Sequence, residues 1–342
     1  MGRMTFLAGE HPEVLPIFDG DGKTPSLSDR YMVPPFSVLD ARQGWWQTRK
    51  RQWIGIGIQS ELGRFSADGG VGLTYNGIGG WIADNGYQAQ RRRGAMTTTS
   101  ATVNDRFTSA AVASGTSIFD PVLCELAYRW FSPPGGMVID PFAGGSVRGV
   151  TASMLGRHYH GCDLSTAQVA ANYAQKEALA GKLIGEITWS SGDSARWDLP
   201  DGSADMIFTC PPYLWLERYS DHPADLSGMT EEGFECALGF ILGRCARALR
   251  NDRFAVVVIG DVRDDGGALV DARGVTVRAA RTAGLRLHTA AVLLTVVGSL
   301  SVRAGKQFSS SRILGRSHQD VLVFVKGDRK RAAAACGTVE TP

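Results

Sequence analysis

From residue 117 onward, short apolar runs alternate with segments of helical periodicity, and this alternation constrains the fold more than any other feature. The amphipathic helix IFDPVLCELAYRWF precedes the strand MVID, and further strands are predicted at YHGCD, ITWSS, ADMIFT and RFAVVVIGD, with helices or turns between them. Parallel strands need long, usually helical crossovers. We therefore predict an α/β fold with a doubly wound, mostly parallel sheet, helices on both faces, and the last two strands as an antiparallel edge.

A glycine turn, DPFAGGS at residues 140 to 146, follows the first strand of the predicted sheet. In doubly wound sheets, ligands bind beyond the carboxyl ends of strands, and such a turn lets the backbone approach them. A dinucleotide fingerprint reads GxGxxG, whereas Gly144 and Gly145 are followed here by Ser146, so NAD is disfavoured. An acidic residue at the start of the turn, Asp140, suits a cationic ligand better than a pyrophosphate. This favours a positively charged cofactor such as S-adenosylmethionine.

Two further carboxylates follow predicted strands. Asp163 comes 18 residues after Gly145, near the spacing of roughly 20 expected for a carboxylate that binds a ribose. Asp193 follows the third strand, where it is placed to accept a hydrogen bond from an adenine amino group. Taken singly, each is more simply a cap at a strand end. Together with Asp140 at one edge of the sheet, they favour a ligand that carries a nucleoside.

A second motif, TCPPY at residues 209 to 213, ends the strand ADMIFT. Pro211 and Pro212 have no N–H to donate, so the hydrogen-bond ladder stops there and the preceding carbonyls are left free. The pair DPFAGGS and TCPPY resembles the motifs of the amino-group DNA methyltransferases. Their first motif is D-P-F-x-G-x-G, and their catalytic motif is Asp, Asn or Ser followed by Pro-Pro-Tyr, Phe or Trp. The resemblance covers roughly residues 115 to 328, and the wider chain is similar to bacteriophage DNA methylases.

The resemblance implies a Rossmann-like methyltransferase sheet that binds S-adenosylmethionine and methylates the exocyclic amino group of a flipped adenine (N6) or cytosine (N4) in DNA. Around the cofactor it places Asp140, Pro141, Phe142, Gly144 and Gly145, with Asp163 on the ribose and Asp193 near the adenine. Its catalytic residues would be Cys210, Pro211, Pro212 and Tyr213. Residue 210 and the Pro211 carbonyl would accept hydrogen bonds from the amino group, which turns the nitrogen lone pair toward the methyl group. Tyr213 would stack on the flipped base.

The sequence departs from the family at two positions. Ser146 replaces the last glycine of the first motif, and Cys210 stands where the family has Asp, Asn or Ser. A thiol is a weak hydrogen-bond acceptor. One alternative is therefore that Cys210 is a nucleophile for C5 methylation of cytosine, although C5 enzymes place the cysteine after the proline. Another is a DNA-binding protein that keeps the methylase fold without turnover. N-methylation is the favoured interpretation.

Local charge is more informative than the formal net charge of +2, which is too small to indicate nucleic-acid binding. Residues 300 to 331 hold eight basic and two acidic residues, a local charge of +6. The segment VRAGKQFSSSRILGRSH mixes basic residues with Ser and Gln, which contact phosphates and base edges. We predict that it forms a DNA-binding loop near the catalytic face. The predicted DNA contacts are Arg303, Lys306, Arg312 and Arg316.

Residues 1 to 110 read as an irregular, glycine-rich N-terminal extension. A basic cluster lies among three tryptophans in this extension: Arg42, Arg49, Lys50, Arg51 and Arg64 with Trp45, Trp46 and Trp53. The cluster indicates either a target-recognition element or a small core that docks on the sheet, and we favour the core. The arginines at 91 to 93 are equally a DNA contact or a solvated surface.

The predicted organisation is an extension at residues 1–110, a methyltransferase domain at 111–328 and a disordered, basic and then low-complexity tail at 329–342. Six cysteines without a CxxC pair or a Cys/His cluster predict neither a metal site nor a disulfide framework. Because no apolar run reaches the length of a membrane span or a signal peptide, we expect a cytoplasmic protein without membrane contact, in the host cytoplasm if a phage encodes it. The sequence leaves the oligomeric state open.

Overall fold

The computed structural model describes residues 25–58, 119–214, 219–264, 266–297 and 300–341. The predictions for Arg64 and for the arginines at 91–93 lie outside these ranges. The chain divides into two units, Met1–Pro35 with Thr338–Pro342, and Phe36–Gly337. The described part of the first unit contains helix α1 (Leu27–Tyr31), which begins at a capping box between Ser26 and Asp29.

The second unit contains all the described strands and the remaining helices. The strands are β1 (Val38–Asp40), β2 (Met137–Asp140), β3 (His158–Asp163), β4 (Ile187–Ser191), β5 (Ala204–Thr209), β6 (Leu249–Ile259), β7 (Val262–Arg263), β8 (Leu269–Val270), β9 (Arg286–Leu294) and β10 (His318–Lys326). The helices are α2 (Gly44–Gly55), α3 (Pro121–Phe131), α4 (Val147–Met154), α5 (Thr166–Ala178), α6 (Glu231–Ala248), α7 (Ala272–Thr282), α8 (Leu300–Ser311) and α9 (Arg329–Cys336). Single-turn helices lie at Ala180–Lys182, Ser194–Arg196 and Leu226–Gly228.

Eight strands form one sheet in the order β1-β9-β10-β6-β5-β2-β3-β4, and β7 and β8 pair separately. Within the large sheet every pair is parallel except those that β10 makes with β6 and β9. The strand order reverses between β2 and β5, which makes their carboxyl ends the topological switch point where such sheets bind ligands. The predicted doubly wound, mostly parallel α/β sheet is confirmed.

Apolar side chains cover both faces of the sheet, as the near-continuous apolar runs of the central strands require. Ile139, Ile207 and Val257 join one buried cluster with residues of α6 and α7. On the opposite face, the ring of Phe208 meets Tyr128 of α3 edge to face, with ring centroids 5.3 Å apart. Helices therefore pack on both faces, and the carboxyl edge between them is left for a site.

The edge of the sheet differs from the prediction. Strands β9 and β10 are antiparallel as expected, but they are not the edge, because β1 pairs in parallel with β9 in a register that sets Val38 opposite Val292. β1 comes from the extension that reads as irregular, and its three residues are too few to show any periodicity. Residues 36–58 therefore belong to the same compact unit as the sheet.

The prediction of a disordered tail is wrong for residues 329–336, which form helix α9. Asp328 caps the helix, since its carboxylate accepts hydrogen bonds from the backbone N–H of Lys330 and Arg331, both at 2.9 Å. Ala332 and Cys336 are buried, and the helix packs on α3 and β6. An alanine-rich run has a high helix propensity, and a cap with a buried face is enough to fix it.

Helix α2 docks on α3 through the basic and aromatic residues of the N-terminal extension. The carboxylate of Glu125, fully buried in α3, accepts hydrogen bonds from Arg49 at 2.7 and 2.8 Å and from the indole N–H of Trp53 at 2.7 Å. At the start of α3, the Asp120 carboxylate accepts from the indole N–H of Trp46 and pairs with Lys50. These contacts are those of a docking core, the interpretation favoured above.

Candidate active site

The glycine turn between β2 and α4 is held against β3 and α5 by backbone hydrogen bonds. Ala143 donates its N–H to the carbonyl of Cys162 at 2.9 Å, and Gly144 donates to the Asp163 carboxylate at 2.8 Å. Asn172 of α5 donates its side-chain amide to the carbonyl of Gly144 at 2.7 Å. Gly144 has a φ of +51°, in the left-handed region that favours glycine.

Close approach of the turn to β3 depends on Gly161, a residue that sequence reasoning missed. A Cβ atom at position 161 would lie 2.8 Å from the Cβ of Ala143 and equally close to the Tyr159 ring. The only signal in the sequence is a glycine inside an otherwise strand-like run, which often marks a close backbone contact. Gly161 therefore belongs to the framework of the turn.

Asp140 lies at the end of β2 and is completely buried. Its carboxylate accepts four hydrogen bonds from within the chain: from Arg148 Nε at 2.6 Å, Thr209 Oγ1 at 2.6 Å, Tyr159 Oη at 2.8 Å and the backbone N–H of Phe142 at 3.1 Å. The expectation that Asp140 offers an uncompensated charge to a cationic ligand is therefore not supported, because Arg148 already neutralises it. Direct contact between Asp140 and a cofactor stays a prediction.

Arg148 is the basic partner in this network and is 5% exposed. Besides the Asp140 carboxylate, its guanidinium donates to the backbone carbonyls of Phe142 and Ala143, and it lies 4.6 Å from the ring centroid of Phe119. Burial disfavours the charged guanidinium, but Asp140 and the neighbouring Tyr159 and Cys210 groups together outweigh this effect, and the pKa of Arg148 lies well above its usual value. Nothing in the sequence signals this role, because an arginine within a helix normally faces solvent.

The structure brings Asp163 and Asp193 to the same edge as the glycine turn. The two Asp163 oxygens accept hydrogen bonds from the backbone N–H of Gly144 and of Ser165, both at 2.8 Å. Asp193 caps the single-turn helix that follows β4 by accepting from Ala195 N–H at 2.8 Å. Both residues thus act as anchors of loop backbone. Both carboxylates lie at the edge where a ligand of such a sheet binds.

Cys210 and Tyr213 are joined at the carboxyl end of β5. The Cys210 Sγ and the Tyr213 hydroxyl lie 3.3 Å apart, and the Gln319 side chain donates to the same hydroxyl at 2.8 Å. The Tyr213 ring packs against the apolar cluster under α6 and α7. Burial and the neighbouring Cys210 thiol keep the pKa of Tyr213 well above its usual value, so the phenol stays protonated. Pro211 is buried and Pro212 is half-buried between them.

Arg316 approaches the Cys-Pro-Pro-Tyr turn from the connection between α8 and β10. Its guanidinium rests on Gly260 at the end of β6, where a Cβ atom would lie 2.9 Å from Nη1. Nη1 is buried and has no hydrogen-bond partner among the described residues. The charge of Arg316 also acts on the Tyr213 hydroxyl. Because a buried cationic donor without a partner is costly, a ligand that accepts a hydrogen bond would be stabilised here.

The remaining predicted DNA contacts lie on or beside α8. The predicted loop is wrong here, because residues 300–311 form a helix whose Leu300 is buried and packs against Gly315. Lys306 and Arg312 are exposed, and Arg303 lies in the helix with its side chain outside the described part. Phe308 is 45% exposed beside them. The helix therefore presents basic and apolar groups on one segment next to Arg316.

Within the described residues, no three His, Cys, Asp or Glu side chains are grouped as a metal site, and no helix is long and apolar enough to cross a bilayer. Each described cysteine is a free thiol.

No protein-family model and no curated protein matches the sequence. Among solved structures, the chain is similar to TrmN from Thermus thermophilus, with 18% identity, 61% of this chain and 49% of that chain covered, and a TM-score of 0.41. It thus spans about half the length of TrmN. It is also similar to a TehB-like SAM-dependent methyltransferase from Corynebacterium glutamicum ATCC 13032, with 20% identity, 71% and 98% covered, and a TM-score of 0.39. A third similar structure is geranyl diphosphate methyltransferase in complex with SAM, with 14% identity, 60% and 85% covered, and a TM-score of 0.41. Identities and TM-scores this low do not establish a shared activity.

Proposed function

We propose that this protein is an S-adenosylmethionine-dependent DNA methyltransferase that acts on an exocyclic amino group, N6 of adenine or N4 of cytosine. One observation carries the proposal: the glycine turn and the Cys-Pro-Pro-Tyr turn lie side by side at the switch point of the sheet. The two turns are joined by the 2.6 Å hydrogen bond from Thr209 to Asp140. A cofactor held by the first turn would thus be next to a substrate held by the second.

The residues at the carboxyl edge fit such a cofactor. Asp163 and Asp193 are carboxylates of the type that accepts hydrogen bonds from ribose hydroxyls and an adenine amino group, and the turn at Gly144 and Gly145 has no side chain that would block approach. Phe142 is partly buried beside Asp140 and adds an apolar surface. When bound, S-adenosylmethionine supplies an electrophilic methyl group.

The chain's own contribution to the reaction is to position and polarise the acceptor nitrogen. The Cys210 sulfur and the Pro211 carbonyl accept hydrogen bonds from the amino group and direct its lone pair toward the methyl group. The nitrogen lone pair would form the new bond to the methyl carbon as the bond from that carbon to the sulfonium sulfur breaks, which leaves a neutral thioether. The methylated nitrogen would then release one proton to solvent. Orientation of this kind contributes as much as about 7–11 kcal/mol to barrier reduction. Since a thiol is a weak hydrogen-bond acceptor, the Pro211 carbonyl contributes most to orienting the amino nitrogen.

We further propose that DNA approaches across α8. Lys306 and Arg312 are placed to contact phosphates, and Arg316 is placed to donate to an acceptor atom near the catalytic loop. Extrusion of a base from the duplex costs a few kcal/mol, which stacking on an aromatic ring offsets in part. Tyr213 and the exposed Phe308 are the candidate rings.

C5 methylation of cytosine through Cys210 is the second candidate, and one observation favours it. The buried positive charge of Arg148 interacts electrostatically with Cys210, and a neighbouring cation is a common feature of nucleophilic cysteines. Against it, the Tyr213 hydroxyl lies 3.3 Å from the Cys210 sulfur, where it would compete with an incoming pyrimidine for that atom.

Nucleoside mass spectrometry of DNA incubated with protein and cofactor tests these candidates together. N6-methyladenine or N4-methylcytosine supports the proposal, and 5-methylcytosine supports the second candidate. Cofactor binding by calorimetry without any product would instead indicate a binding protein with a methylase fold. A Cys210→Ser variant separates the chemistries further, because an amino methylase retains or gains activity and a C5 enzyme loses all turnover while it still binds DNA.

A further inference from the structure

The buried carboxylate of Asp140 touches both turns of the candidate active site. One oxygen accepts from Thr209, the residue that immediately precedes Cys210, and from the backbone N–H of Phe142 in the glycine turn. The other accepts from Arg148 and from Tyr159. All four side chains are buried, with exposed fractions from 0 to 5%. A single charged group therefore links the two loops that the proposed reaction must bring together.

Arg148 completes the link from the opposite side. Its guanidinium bonds to the Asp140 carboxylate and to the carbonyls of Phe142 and Ala143, so the glycine turn is held at both its N–H and C=O groups. Because hydrogen bonds in a buried, charged network are directional and strong, a shift of one turn is passed to the other.

We propose that Asp140, Arg148 and Thr209 form a positioning unit, which fixes the catalytic loop (residues 210–213) relative to the glycine turn (residues 140–146). In this unit Asp140 is a positioning residue and not a cofactor ligand. The inference rests on the proposed methyltransferase function. It assigns three roles. Arg148 shapes the turn, Asp140 neutralises Arg148 and connects the loops, and Thr209 fixes the start of the catalytic loop.

The Thr209→Val variant is the least disruptive test of this unit, because it removes only the hydroxyl that donates to Asp140. We expect kcat to fall by about tenfold or more while the affinity for S-adenosylmethionine and the KM for DNA change by less than about twofold, since small misplacements cost up to about 100-fold. Thr209→Ser keeps a hydroxyl and restores kcat. A merely structural role would instead lower stability and leave kcat of the folded fraction unchanged.

Thr151→Val is the matched control. Thr151 is likewise fully buried, in α4, but its hydroxyl has no partner among the described residues. We expect this variant to keep the wild-type kcat. Equal kcat values for the wild type, Thr151→Val and Thr209→Val would overturn the inference.

A second measurement does not depend on activity. Asp140→Asn removes the carboxylate that compensates Arg148 and bonds to Thr209, the residue before Cys210, so a positive charge is left uncompensated beside the thiol. Mass-spectrometric alkylation by iodoacetamide should then modify Cys210 about threefold faster or more, while the rate at the exposed Cys236 stays constant. The buried thiols of Cys162 and Cys336 react slowly, because burial raises their pKa to about 11.

The outcomes separate the two proposals. If wild-type protein binds no S-adenosylmethionine and methylates no nucleic acid, the proposed function fails, whereas the alkylation rates still report whether Asp140 and Arg148 act on Cys210. If the wild type is active and the ratio of alkylation rates is the same in Asp140→Asn, the positioning unit is refuted. Should Asp140→Asn fail to fold, Thr209→Val decides through kcat and through the alkylation rate of Cys210, which we expect to change as the loop start is released.

Discussion

Two basic clusters look alike in the sequence and differ in the folded chain. In α2, Arg49 and Lys50 are paired with Glu125 and Asp120 of α3. Beside α8, Arg312 stacks on the Phe308 ring and Arg316 rests on Gly260, and neither contacts a carboxylate among the described residues. The first cluster is therefore committed to intramolecular docking, and the second is available to an anionic partner.

The difference shows that a count of basic residues does not locate a polyanion surface. Attraction to phosphate depends on charges that remain uncompensated after folding. An arginine that pairs with a carboxylate no longer contributes an uncompensated charge, however far apart the two residues are in the sequence. The first three changes below test this contrast, and a fourth concerns a buried histidine that is expected to have a smaller effect.

Glu125→Ala should break the docking cluster most severely. The substitution leaves Arg49 without its main partner and removes the acceptor for the Trp53 indole N–H. Loss of one partner from a buried ion pair costs about 3–5 kcal/mol, which urea unfolding would measure. The control is Glu235→Ala, which breaks a surface pair with Arg278 and should cost about 0–1 kcal/mol. Equal losses in the two variants would contradict the docking role.

Arg316→Ala should lower kcat/KM for DNA methylation by about 10- to 100-fold, equivalent to about 1.5–3 kcal/mol for a hydrogen bond from a charged donor. Stability should not fall, because Nη1 has no partner within the described chain. The matched control is Arg247→Ala, since Arg247 is exposed at the end of α6, near the amino end of β6. A drop in stability with unchanged kcat/KM would assign Arg316 to folding instead.

Arg312→Ala should reduce the salt dependence of DNA binding. Each phosphate contact contributes about 0.9 to the slope of log affinity against log salt concentration, so the slope should fall by about that amount. Lys50→Ala provides the comparison, because Lys50 is paired with Asp120 and should leave the slope unchanged. Titration of a labelled duplex at several salt concentrations measures both. Equal slopes for all three proteins would show that Arg312 does not contact a phosphate.

Acidification should produce the smallest effect, through His160. Burial lowers the pKa of His160 below its usual value of 6.5, and its ring packs edge-on to Trp197. Below about pH 6.5 the unfolded chain binds a proton that the folded chain does not, so the free energy of unfolding falls with pH until the folded pKa is passed. His160→Asn should reduce the part of this loss that falls below about pH 6.5, as urea unfolding at pH 7.5 and at lower pH would measure. If the free energy of unfolding of His160→Asn depended on pH as it does in the wild type, the role of His160 would be contradicted.

Much of the fold follows from the chain's periodicity. The apolar runs at β2, β5 and β6 and the helical periods of α3 and α5 predict the doubly wound sheet, because buried parallel strands are continuously apolar and both helices are long enough to show their period. The short strand β1 and the helices α8 and α9 escape prediction. Each is fixed by contacts with distant residues, such as the pairing of Val38 with Val292 or the packing of Leu300 on Gly315.

The candidate site also has features that the sequence predicts and features that depend on distant contacts. The motifs DPFAGGS and TCPPY are visible in the sequence, and they meet because the carboxyl ends of parallel strands share one edge. What the sequence alone determined is this architecture and the chemistry of its two turns. Which charges remain available depends on folding: Arg148 neutralises Asp140, Glu125 binds Arg49, and Arg316 keeps a buried donor without a partner in the described chain. The reason is that charge compensation acts over a few ångströms between residues that the chain order does not bring together.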